Sequence, residues 1–261
     1  MSHCFRYVRR SLFLYWLFMG VLSASGADFL KIDGMGFAYR VPPEYREDSQ
    51  IMVLFGGRNW RGEKTLKAYG FDKLADKHRL FLLSPSFVNR EYWEPGKWSG
   101  ATLKKAMAKL EQRYKLKPQK CYFYGYSAGG QCAALFYGWM PERVAAWGVH
   151  ACGVYPEQVK SASAPALISC GTEDAERFQI SRQFAYRYRE AGGALLWKIY
   201  AGGHELNPDA LELASVWFDA IISGETVKEY GEDDTGQIKR GIDDEFRNPL
   251  YNEKIRELWL K

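Results

Sequence analysis

Cysteine is scarce in this chain, with five in 261 residues. Cys121, Cys132, Cys152 and Cys170 lie in apolar surroundings such as Ala166–Cys170, which suits buried thiols better than a disulfide scaffold. Cys121, Cys152 and Cys170 fall at strand edges, and only Cys152 and Cys170 are expected to approach each other closely enough for a bridge. Lys and Arg form no block, and the formal charge of +5 falls to +2 without Arg6, Arg9 and Arg10. A surface so nearly neutral lacks the electrostatic footprint of a nucleic-acid-binding protein. The chain has no internal repeat and no low-complexity tract. His, Cys and carboxylate residues show no metal-ligand spacing, so neither a metal nor a cofactor is expected.

Long hydrophobic runs are missing too. The most apolar stretch, Ser11 to Leu22, is shorter than the roughly 17–25 residues that span a bilayer. It follows Arg6, Arg9 and Arg10 and precedes the small residues Ser23 to Ala27, the three-part pattern of a secretory signal over residues 1–27. Export to the periplasm or the medium is the expectation, with no stable membrane span after cleavage. Cys4 precedes the apolar run instead of following it, which argues against a lipid anchor.

What is present suits one globular domain over residues 28–222, since 47% of residues are hydrophobic and 26% charged. Phe29 to Ile32 and Gly36 to Val41 read as two strands around the turn signal Asp33-Gly34, an N-terminal β-hairpin. Short apolar runs then recur at Gln50 to Phe55, Leu80 to Ser84, Cys121 to Tyr126, Ala145 to His150, Ala166 to Cys170 and Leu195 to Tyr200. Such runs form buried parallel strands. Helical spacing fills the intervals at Lys64 to His78, Thr102 to Tyr114, Ala128 to Trp139, Ala175 to Ala191 and Asp209 to Ile222. The alternation predicts an α/β class with a doubly wound, mostly parallel sheet. Residues 223–261 are charged and rich in turn signals, and end in the amphipathic Glu253 to Leu260. They read as a C-terminal extension that wraps the surface, packs near the cleft or meets a partner, three placements the pattern leaves open.

Gly125-Tyr126-Ser127-Ala128-Gly129-Gly130 stands between an apolar strand and a helix-patterned segment. A serine on so sharp a strand-to-helix turn needs small neighbours two residues away, and the helix amides face the point where an oxyanion forms. Ser127 is therefore the candidate nucleophile. Of the histidines, His3 lies in the signal, and His78 ends a helix at the wrong strand edge, as a solvated surface residue. His150 ends a strand at the right edge but precedes any suitable acid, so it is a candidate pocket residue. His204 follows the last strand in Ala201-Gly-Gly-His-Glu-Leu-Asn-Pro208, where Asn207 caps and Pro208 opens the closing helix. It is the candidate general base. Asp174, in Cys170-Gly-Thr-Glu-Asp174, is the candidate acid, preferred over Glu173, with a helix N-cap as its ordinary alternative role.

The glycines after the Gln50 to Phe55 strand place the amides of Gly57 and Arg58 to serve, with that of Ala128, as an oxyanion hole. Tyr92, Trp93 and Trp98, with Tyr126 and His150, are the candidate substrate pocket.

These segments resemble the α/β-hydrolase superfamily, and within it the secreted branch of feruloyl and acetylxylan esterases, polyhydroxyalkanoate depolymerases and dienelactone hydrolase-like proteins. The resemblance spans about Ile51 to Ile222 and rests on Leu54-Phe-Gly-Gly57, Leu74-Ala-Asp-Lys-His78, Gly125 to Gly130, Gly171-Thr-Glu-Asp174 and Gly203-His204. Phe55 stands where those families usually place a histidine before the oxyanion glycines. The resemblance implies an exported serine esterase that forms an acyl-enzyme on a small-molecule or polysaccharide-linked ester. A serine peptidase of prolyl-oligopeptidase-like type and a non-catalytic binding scaffold are the alternatives.

Overall fold

The computed structural model describes residues 27–88, 91–159, 162–233 and 235–261. All but Ala27 of the expected signal thus lies outside the described residues. No helix among those described is long and apolar enough to cross a membrane.

An eight-stranded sheet forms the centre, in the spatial order β1-β2-β4-β3-β5-β6-β7-β8. Strands β1 (Asp28–Ile32) and β2 (Met35–Arg40) make the expected hairpin, whose turn residues Asp33 and Gly34 both have positive φ, 50° and 84°. Such a turn matches the right-handed twist of the strands it joins. β2 runs antiparallel to β4 (Phe81–Pro85). From β4 onward all pairs are parallel, through β3 (Ile51–Phe55), β5 (Cys121–Tyr126), β6 (Val144–His150), β7 (Ala166–Gly171) and β8 (Leu195–Tyr200). Every residue of β3, β4, β5 and β7 is buried, which explains their largely apolar sequences, interrupted by the buried, hydrogen-bonded Ser84 and Ser169. The order reverses between β3 and β5, and the carboxyl ends of strands beside such a reversal open a crevice.

The expected helix from Lys64 to His78 is two helices, α1 (Gly62–Tyr69) and α2 (Asp72–His78). Gly70 takes the left-handed conformation, φ 63°, and its N–H closes α1 on the carbonyl of Leu66. Apolar spacing continues across the break through Phe71 and Leu74, so periodicity alone does not reveal it. A wide π-type turn, Pro95–Ser99, leads straight into α3 (Gly100–Tyr114). The remaining helices of this unit are α4 (Ala128–Trp139), α5 (Ala175–Glu190) and α6 (Pro208–Ile222). Trp147 on β6 and Trp217 on α6 are fully buried in the core, where truncating an aromatic side chain to Ala typically costs about 3–5 kcal/mol.

Residues 223–261 build a two-stranded antiparallel sheet, β9 (Glu229–Glu232) and β10 (Arg247–Leu250), followed by α7 (Glu253–Leu260). They pack along β8 and α6. β8 is a sheet edge, and its exposed backbone is met by side chains of this extension: Asn248 Oδ1 accepts from Trp197 N at 2.6 Å, and Trp259 Nε1 donates to Trp197 O at 3.0 Å. Covering an edge in this way removes a template for pairing with another chain. Arg189 of α5 is buried beneath the small sheet, donating to Asp233 at 2.6 and 3.1 Å and to Asn248 Oδ1 at 2.8 Å.

Candidate active site

The turn from β5 into α4 carries Ser127 with φ 56° and ψ −122°, a strained conformation for a residue with a side chain. The backbone holds it there: Ser127 N donates to His150 O at 3.0 Å, and Gln131 N donates to Ser127 O at 3.1 Å. Strand and helix nearly touch. A Cβ on Gly125 would lie 2.1 Å from Gly129 O, and one on Gly129 2.0 Å from Phe55 O. The two glycines are thus required by space.

His204 follows β8 in a loop turned by Gly202, whose φ is 116°. Its Nε2 lies 2.8 Å from Ser127 Oγ and its Nδ1 lies 2.7 Å from Asp174 Oδ2. A carboxylate only accepts, so the proton on this ring belongs on Nδ1 and Nε2 is left as an acceptor facing the serine hydroxyl. Asp174 is buried while Glu173 is exposed. Although Asp174 sits at the N-cap position of α5, its side chain makes no capping bond. It accepts from His204, and at 2.9 Å from Arg177 Nη1. Asn207 does cap α6, accepting from Asp209 N and Ala210 N, and Pro208 is the first helical residue.

Gly57 and Arg58 open the turn after β3, closed by Trp60 N donating to Gly57 O at 3.0 Å. Among the described residues, the amides of Gly57, Arg58 and Ala128 donate no hydrogen bond. One residue here escaped the sequence reading. Tyr69 Oη, buried in α1, donates to Phe55 O at 2.5 Å and accepts from Tyr126 N at 2.9 Å, tying the end of β3 to the serine turn. Burial raises its phenol well above the ordinary range, so it stays a neutral donor.

No protein-family model matches the chain, and no curated protein matches it in sequence. Solved structures do match. A thermostable esterase superposes with a TM-score of 0.61 at 17% identity, over 76% of this chain and 61% of that one. A poly(3-hydroxybutyrate) depolymerase from Bordetella parapertussis gives 0.57 at 16%, over 76% and 91%. A ferulic acid esterase gives 0.60 at 12%, over 76% and 97%. The fold is that of the α/β-hydrolases.

Within this α/β-hydrolase fold the residues expected to form the pocket separate into two groups. His150 is not a pocket wall: it is 1% exposed, with Nδ1 2.9 Å from Ser169 Oγ and Nε2 3.1 Å from Glu205 O. Tyr92 is likewise packed into the interior, its ring against Phe87 and Trp93. Trp93 and Trp98 are half-buried, and Tyr126 is nearly buried beside the site. Trp60, not singled out in the sequence, is half-buried against the Tyr126 ring, their centroids 6.0 Å apart.

His78 also departs from expectation. Its side chain is 12% exposed and Nε2 lies 2.5 Å from Asp219 Oδ1, joining α2 to α6 instead of facing water. The four described cysteines are buried and free, Cys152 and Cys170 included. Among the described residues no group of three His, Cys, Asp or Glu is placed to hold a metal ion.

Proposed function

We propose that the chain is an exported serine hydrolase, a carboxylic ester hydrolase that forms an acyl-enzyme on Ser127. The observation that carries this reading is the unbroken run Ser127 Oγ–His204 Nε2–Asp174, at 2.8 and 2.7 Å, beginning on a serine held in strained backbone. The Ser127 proton passes to His204 Nε2 as Oγ attacks the ester carbonyl, and Asp174 stabilises the imidazolium. The amides of Ala128, Arg58 and Gly57 receive the carbonyl oxygen as it becomes anionic. His204 then returns the proton to the departing alcohol. Water, deprotonated by the same nitrogen, releases the acid and restores Ser127.

Esterase names among the structural neighbours support ester chemistry for this chain, while a poly(aspartic acid) hydrolase among them keeps amide substrates in the test. Trp60, half-buried against the Tyr126 ring, would favour substrates with an aryl or sugar group, including polysaccharide-linked esters. Residues 28–222 would be the catalytic unit and residues 223–261 an extension of it. Export rests on the signal pattern of residues 1–27, and N-terminal sequencing of the mature protein at Asp28 would bear it out.

The test is hydrolysis of acetyl, butyryl and feruloyl esters beside peptide anilides of matched acyl group. Ester turnover that exceeds anilide turnover and vanishes in Ser127→Ala supports the reading. Preference for the anilides would move the chain to the peptidases, and no turnover of either class would favour a binding scaffold.

A further inference from the structure

We propose that Tyr126 and His150 are positioning residues of the reaction, holding the main chain of His204 and Glu205 so that the His204 ring stays between Ser127 and Asp174. The inference rests on the role proposed for His204. That residue lies in a loop at the sheet edge, 33% of its side chain is exposed, and a Cβ on the preceding Gly203 would meet nothing within 4 Å. The loop just before His204 is therefore loosely packed.

Three adjacent strand ends supply the constraint instead. From the end of β5, Tyr126 Oη donates to His204 O at 3.2 Å. From the end of β6, His150 Nε2 lies 3.1 Å from Glu205 O. A carbonyl only accepts, so this nitrogen carries the proton. Nδ1 of the neutral ring is then the acceptor, and it takes the hydroxyl proton of Ser169 on β7, at 2.9 Å. Two consecutive carbonyls of the loop are thus held by donors from the rigid sheet.

The rings reinforce the bonds. Tyr126 stacks on His204 at 5.5 Å and on His150 at 6.0 Å, each at 23°, so it lies in contact with both imidazoles. Its other edge meets the proposed oxyanion turn, where a Cβ on Gly57 would lie 3.3 Å from Tyr126 Cδ1. One ring thereby sets the spacing between the base and the oxyanion donors. His150 suits its task because burial depresses its pKa to about 4, which keeps it a neutral donor of fixed tautomer. A misplacement of about 1 Å in such an arrangement costs on the order of a hundredfold in rate.

The experiment measures phosphonylation of Ser127 by a fluorophosphonate, with kcat and KM on the best ester, in wild type, Tyr126→Phe, His150→Phe and His150→Gln. Tyr126→Phe removes a single hydroxyl and answers the question even if His150→Phe does not fold. Phenylalanine at either position should lower the labelling rate and kcat about ten- to a hundredfold with KM unchanged. His150→Gln, which keeps an amide donor toward Glu205 O, should recover part of the loss. Folded Phe variants with wild-type labelling and kcat would overturn the proposal, as would a rise in KM with kcat retained. A folded wild type that is not labelled at Ser127 fails differently, since it removes the role of His204 on which the inference rests.

Discussion

His204 Nδ1 lies 2.7 Å from Asp174 Oδ2, across 30 residues of chain. The contact depends on backbone bonds between the two loops, Thr172 N to Tyr200 O at 2.8 Å and Glu173 N to Gly202 O at 2.9 Å. Asp174→Asn keeps the shape but offers an amide that favours the wrong tautomer of His204. It should lower kcat about ten-thousandfold without unfolding the protein, as read by steady-state kinetics beside circular dichroism. Glu173→Gln, at an exposed position, should leave kcat unchanged.

The buried His150 makes stability depend on pH. Its folded pKa of about 4 lies below the ordinary 6.5 because burial disfavours its charged form, against opposing pulls from Glu205 O and Asp174. Ser169, Tyr126 and Tyr200 enclose it, with His204 nearby. The unfolded chain therefore binds a proton at a pH where the folded one does not. The resulting stabilisation is complete above pH about 6.5 and lost as pH falls from there to about 4, a change of about 3 kcal/mol. Urea denaturation at pH 7 and pH 4.5 should show that slope in wild type and a shallower one in His150→Gln.

Glycine spacing at the serine turn gives a third test. Gly129→Ala places a methyl carbon 2.0 Å from Phe55 O and 2.5 Å from Gly56 O, so β3 and α4 must separate. The variant should unfold at a clearly lower temperature than wild type, whereas Gly203→Ala, with no atom within 4 Å of the added carbon, should keep the wild-type midpoint.

The extension is fastened by a buried ion pair. Arg189 and Asp233 side chains are 2% and 1% exposed and 2.6 Å apart. Arg189→Met leaves a buried carboxylate without its guanidinium and should cost about 3–5 kcal/mol in urea denaturation. Replacing Arg189 and Asp233 together by Met and Leu should cost much less.

Much of the core architecture was legible in the sequence because it rests on local pattern. Cys121–Tyr126, Ala128–Trp139 and Leu195–Tyr200 have the expected boundaries, since each is an apolar run closed by glycines or a change of period. Ser127 with its flanking glycines, Asp174 and His204 stood out because each follows a strand that the apolar pattern marks. Relationships across the fold were not legible. Tyr69, Arg177 and Ser169 act on residues far away in sequence or through geometry that spacing does not express. His150 carries the same letter whether it lines a pocket or holds a carbonyl, and only its burial decides. The strands Glu229–Glu232 and Arg247–Leu250 lack alternating apolar residues, because Asn248 and Arg189 side chains supply the contacts that fix them.

The central claim is that Ser127 is a nucleophile activated by His204. Its most direct test is the intact mass of the purified protein after treatment with a fluorophosphonate, for wild type, Ser127→Ala and His204→Ala. One adduct per wild-type chain is expected, located at Ser127, and none on either variant in the same time. A folded wild type without an adduct, or an adduct that survives Ser127→Ala, would contradict it.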